Sequence, residues 1–157
     1  MKKRIKILVI GIGNEFRCDD AIGIITARML RDKKTVNTDV AENNGDGALL
    51  IEQWQGYDKV ILIDAVKLNN NPGRVHVIDA NNNSLPKDIS LDSSHLFNIP
   101  EAIETARVLK RLPGKMTIYG IEGKNFNAGT EITKEVSEAS GEVISKVLNE
   151  ISSLNGE

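Results

Sequence analysis

Apolar stretches of two lengths alternate along the chain. Ile5 to Ile10 and Val60 to Ile63 are short, nearly continuous and β-branched, the pattern of strands covered on both faces in a parallel sheet. Between them, Asp19 to Lys33 carries Ile22, Ile25 and Met29 at helical spacing. Arg28, Arg31, Lys33 and Lys34 gather toward its C-terminal end, where the helix dipole favours cations. A short strand near Val40 and a helix from Ala48 to Gln55 complete two strand–helix units. Asn69-Asn70-Asn71-Pro72-Gly73 is a turn signal leading into Arg74 to Asp79. So short a link cannot make a parallel crossover, which predicts an antiparallel neighbour at a sheet edge. After a polar loop over 81–92, Asn98 and Glu101 fit a capping box with Pro100 in the first turn, and Leu112-Pro113-Gly114 ends that helix. Met116 to Ile121 reads as a fifth strand. Thr133 to Leu154 reads as a long amphipathic helix through Val136, Val143, Val147 and Ile151. The pattern predicts one domain over residues 1–157. Its class is a three-layer α/β/α fold with a mostly parallel sheet of about five strands and one antiparallel edge strand.

Composition narrows the function classes. A chain of 157 residues with 40% hydrophobic and 27% charged residues is ordinary globular material. Its net charge of -2 gives no reason to expect nucleic acid or a membrane surface as partner. The apolar run Ile7 to Ile12 follows Lys2, Lys3 and Arg4 and imitates a signal peptide, but it is short and charged residues follow at once. The single cysteine, Cys18, excludes an internal disulfide and a multi-thiolate zinc site. A reduced, cytoplasmic domain is expected.

Parallel sheets bind ligands beyond the carboxyl ends of their strands, and reactive groups fall there three times. The first strand is followed by Gly11-Ile12-Gly13-Asn14 and then Asp19-Asp20-Ala21-Ile22-Gly23; the Val60 strand runs into Asp64; and Ser93-Ser94-His95 precedes the Asn98 helix. The glycine loop is a poor dinucleotide site, because Phe16 replaces the third glycine and two aspartates would repel a pyrophosphate. Asp20, Asp64 and His95 form an O,O,N set suited to a divalent first-row metal. Each also has a structural reading: Asp19 and Asp20 as helix-start acids, Asp64 as a loop cap, His95 as surface decoration. His76 alternates with Val75 and Val77 and is expected to face solvent.

These residues resemble the hydrogenase maturation endopeptidases. The likeness rests on Ile7 to Asn14, Asp19-Asp20-Ala21-Ile22-Gly23, Val60 to Val66, Asn71-Pro72-Gly73, Ser93-Ser94-His95 and Tyr119-Gly120-Ile121-Glu122-Gly123. It implies removal of a C-terminal extension from an immature nickel–iron hydrogenase large subunit after nickel insertion. It also implies that nickel comes from the substrate, with no tightly bound cofactor of the enzyme's own. The family's metal-contacting positions fall on Asp20, Asp64 and His95, with Asp20 where many members have Glu. Two departures stand out: Glu42-Asn43-Asn44-Gly45-Asp46-Gly47 replaces an Asp-Gly-Gly-Thr-like turn, and Ser94 replaces a frequent Pro. Two rival readings use the same residues. One is a thiol hydrolase with Cys18 as nucleophile, His95 as base and Asp64 orienting it. The other is a nickel-sensing chaperone that binds the subunit without cutting.

Overall fold

The computed structural model describes residues 3–68, 70–83, 85 and 98–157. Strand β1 (Ile7–Ile12) enters a 3-10 turn (Cys18–Ala21) and helix α1 (Ile22–Asp32). Strand β2 (Thr38–Asn43), helix α2 (Gly47–Gln53), strand β3 (Lys59–Val66) and strand β4 (Val75–Asp79) follow. Helix α3 (Ile99–Val108), strand β5 (Lys115–Glu122) and helix α4 (Lys134–Leu154) complete the order. The sheet runs β2-β1-β3-β5-β4, parallel throughout except for β4 against β5. This is the expected three-layer class.

Alternation along each strand feeds two cores. Leu8, Ile10, Ile12, Val60, Leu62, Val66 and Ile118 face α2 and α3, meeting Leu50, Ile99, Ile103 and Ala106. Ile7, Val9, Ile61, Ile63, Tyr119 and Ile121 face α1 and α4, meeting Ile22, Leu30, Val136, Val143, Val147 and Ile151. Trp54, at the end of α2, is 1% exposed and donates its indole N–H to the Arg111 carbonyl at 3.0 Å, tying α2 to the chain that leaves α3. Asn98 caps α3, accepting from the Glu101 N–H at 3.0 Å as its spacing predicted.

Several expectations need correction. Helix α1 buries Ile22 but not the rest of an Ile22/Ile25/Met29 stripe: Met29 is exposed, and the buried residues are Ile22, Gly23, Ile24, Thr26, Ala27 and Leu30. Small residues, Gly23 and Ala27, stand where the helix backbone comes nearest the sheet. A Cβ at Gly23 would stand 2.3 Å from the Ile63 carbonyl oxygen. Arg28 and Arg31 do more than complement a dipole: Arg28 reaches Glu15 and Glu42, and Arg31 also reaches Glu42. These pairs hold the guanidinium of Arg28 firmly protonated and keep Glu42 below the usual carboxylate range despite partial burial. Strand β4 is an antiparallel edge, but its partner is β5 rather than β3. Helix α3 stops at Val108, before the Leu112-Pro113-Gly114 signal. His76 does not face solvent: its side chain is 16% exposed and its Nε2 lies 3.6 Å from Glu122 Oε2.

Candidate active site

The order β2-β1-β3 places a switch point between β1 and β3, because the chain leaves β1 toward one edge and β3 toward the other. Ligands in this fold class bind outside the carboxyl ends at such a point. Asp20 follows β1, and Asp64 stands within β3, which continues to Val66 rather than ending at Ile63 as its sequence context implied. Both are almost completely buried, at 3% and 4% exposure.

Close backbone packing sets the 3-10 turn that carries Asp20 beside β3, the strand that carries Asp64. Gly13 lets the turn's carbonyls approach β1, since a Cβ there would meet the Asp20 carbonyl oxygen at 1.9 Å. Asp20 Oδ2 accepts the Asn14 N–H at 3.0 Å, which fixes its orientation. Asp64 alternates with Leu62 and Val66 and so belongs to the sheet face covered by α3, whose first residue, Ile99, packs in the same cluster. His95 lies outside the described residues. Among the described residues, no three His, Cys, Asp or Glu side chains group closely enough to hold a metal ion. Of the three candidate residues, the described ones are the carboxylates Asp20 and Asp64.

Neighbouring Asp19 has a different task. It is fully buried and accepts four hydrogen bonds: the Lys124 and Asn125 N–H groups at 2.9 Å, and the Thr133 N–H and hydroxyl at 2.7 Å. Burial pushes its carboxyl upward, but these donors outweigh it and hold the group below the ordinary aspartate value. Asp19 thus fastens the 3-10 turn to the segment between β5 and α4. Sequence pattern gave no sign of this, because the partners lie 105 to 114 residues away. Cys18 is 4% exposed, and its Sγ lies 3.0 Å from where a Cβ on Gly129 would stand. That burial suits packing better than nucleophilic attack.

Two clefts adjoin this end of the sheet. One, of about 720 Å³, is lined by Lys67, Leu68, Pro72, Glu122, Lys124 and Phe126 among others. The second, of about 700 Å³, adds Arg17, Asn125 and Thr133 to the shared Lys67, Lys124 and Phe126. No helix among the described residues is long and apolar enough to cross a membrane.

Comparison with known proteins agrees with this architecture. A Methanocaldococcus jannaschii protein, MJ0253, whose name assigns it provisionally to the hydrogenase maturation proteases, is 28% identical over 96% of this chain and 99% of its own length. The hydrogenase maturation protease HybD from Thermococcus kodakarensis superposes with a TM-score of 0.75 at 24% identity, covering 94% of this chain and 99% of that one. The maturating endopeptidase HybD from E. coli gives 0.78 at 20% identity, covering 95% and 93%. These superpositions share the fold. The sequence pattern of the hydrogenase maturation protease family matches residues 26–150, and on that match the chain belongs to the hydrogenase maturation proteases.

Proposed function

We infer that this protein is the endopeptidase that removes the C-terminal extension of a nickel–iron hydrogenase large subunit once nickel has been inserted. The observation that carries the reading is the pair of buried carboxylates, Asp20 and Asp64, at the β1/β3 switch point of a chain in this family. Two carboxylates with an imidazole from His95 suit a metal delivered by a substrate, because they satisfy part of a coordination sphere and leave the rest to the ligands that carry the ion. Nickel is then part of the substrate. Its role would be to fix the scissile peptide against the crevice and to polarise the reacting carbonyl or water. In this reading the Cys18 thiol, packed beside Gly129, has a structural part only. The protein would act in the cytoplasm on a folded or folding precursor.

The test is to incubate the protein with nickel-loaded and nickel-free precursor and to weigh the precursor's C-terminus by mass spectrometry. Cleavage of the loaded form only is expected. Equal cleavage of both forms rejects the nickel requirement, and binding without any mass change identifies a chaperone instead.

A further inference from the structure

A third cleft, of about 460 Å³, opens between the turn at Asn14 to Phe16 and the end of β2 at Glu42 to Asn44, with Leu49 of α2 at its border. Buried Gly13 and Ile24 lie at its base. Two large apolar side chains stand on its walls rather than in a core: Phe16 is 68% exposed and Leu49 42%. Both are carried on pinned backbone. The Phe16 N–H donates to Asn14 Oδ1 at 2.9 Å, and the Phe16 carbonyl accepts the Gly129 N–H at 2.8 Å. The Leu49 N–H, in the first turn of α2, donates to Asp46 Oδ1 at 3.2 Å. Arg28 joins the two walls, donating to Glu15 at 3.1 Å and to Glu42 at 2.8 Å. The acids on the walls are thereby paired and the width of the cleft is held. The Asn43 amide is occupied by Asp46 and Gln53. What this cleft offers an incoming chain is apolar surface on a rigid frame, the character of a binding anchor.

Its position says what the anchor holds. Asn14 lines the cleft, and the Asn14 N–H is the donor that fixes Asp20. Gly13, at the base of the cleft, stands against the Asp20 carbonyl. Phe16 is two residues beyond Asn14, no more than about 7 Å along the backbone. A polypeptide that presents a metal to Asp20 can therefore lay its neighbouring residues between Phe16 and Leu49. We propose that this cleft receives a large apolar side chain of the precursor, within about three residues of a nickel-binding one. This rests on the processing function proposed above, and it names what that site selects in its substrate besides the metal. Discrimination is by polarity and size. A polar side chain would shed its water against two apolar walls, and a small one would leave them uncovered.

The whole protein, isotopically labelled, is titrated into the millimolar range with acetyl-Ala-Leu-Ala amide and with its polar counterpart of similar shape, acetyl-Ala-Asn-Ala amide. Backbone amide shifts of Asn14, Phe16, Asn44 and Leu49 report occupancy. Burying one leucine side chain favours the first peptide by roughly tenfold, and Phe16→Ser should remove that preference. On nickel-loaded precursor, Phe16→Ser and Leu49→Ser should each raise KM several-fold with little change in kcat. Phe16→Leu, which keeps an apolar wall, should restore most of the loss. Val108→Ser, at an exposed apolar position at the end of α3, should leave KM unchanged. Equal shifts from both peptides, no shift from either, or an unchanged KM in Phe16→Ser overturns the proposal. So does a dimer, seen by sedimentation velocity, that Phe16→Ser dissociates, because the cleft is then covered by a second copy of the chain. Cleavage of loaded precursor with KM unmoved by these variants rejects the cleft and leaves the processing function standing. Leucine-selective binding with no cleavage rejects the processing function and leaves the cleft as an apolar peptide site.

Discussion

Asp19 and Asp20 are adjacent in sequence and opposite in purpose. Sequence pattern placed both at a helix start, which is correct for position and silent on role. Removing Asp19 strands three backbone N–H groups and one hydroxyl in a buried site. Asp19→Ala is therefore expected to cost roughly 3 kcal/mol, measured by urea denaturation. Because its folded pKa is depressed, Asp19 contributes stability that is present above the unfolded value of 3.8 and is lost as pH falls through the folded value. Asp19→Asn should flatten that acid limb in a stability–pH profile. Asp20→Asn keeps the shape and the Asn14 contact but removes a charge. It should weaken nickel, zinc and cadmium binding, itself weak and exchangeable for a site without a thiolate, while denaturant midpoints change little; calorimetric metal titration checks it. A stoichiometric metal that survives chelation would count against a substrate-borne ion. Asp20 and Asp64 stood out as candidates because each comes after an apolar run in the sequence, although Asp64 lies inside β3 rather than beyond it. His76 was misread because period-two alternation says which side of a strand a residue takes, not whether another group covers that side.

Element boundaries were legible where chemistry is local and blurred where it is not. The Asn98 cap and the α4 core positions came directly from spacing, since caps and helical stripes need only neighbours within a few residues. The inward face of α1 did not, because close contact with β3 requires glycine at position 23 and so turns a face with small residues, not the Ile25/Met29 side, toward the sheet. Nor did the clamp near the start of β3, where buried Lys59 meets Glu150 of α4, with Thr117 and Tyr119 donating hydroxyl hydrogen bonds to that carboxylate at 2.8 and 2.7 Å. Burial raises the Glu150 carboxyl, but Lys59 and the two hydroxyls together hold it below its usual value. Burial and the adjoining Glu150 push the Tyr119 phenol up. Glu150→Gln leaves a buried ammonium without its counter-charge and is expected to cost about 3 kcal/mol. Lys59→Met combined with Glu150→Gln should recover part of that loss in a thermal melt, because both charges then leave the interior together.

At the scale of the molecule, class and connectivity followed from alternating short and long apolar runs, and the family from motifs in order along the chain. The pairing of β4 with β5 was not legible, because adjacency across a sheet depends on a strand that comes some 36 residues later. The sheet divides the interior into two cores that share no side chain among their buried members. Trp54, the only tryptophan, reports on the α2/α3 side alone, while Tyr119 sits on the α1/α4 side. With Tyr57→Phe, Tyr119 becomes the sole tyrosine, and the protein carries one native chromophore per layer. Tryptophan fluorescence and tyrosine absorbance followed in one denaturant titration then ask whether both layers melt as a single unit. Coincident curves mean that the layer bearing Asp64 and the layer bearing α1 cannot loosen separately. Separated curves would make the α3 side a semi-independent flap, free to breathe around an incoming subunit while the opposite layer stays closed.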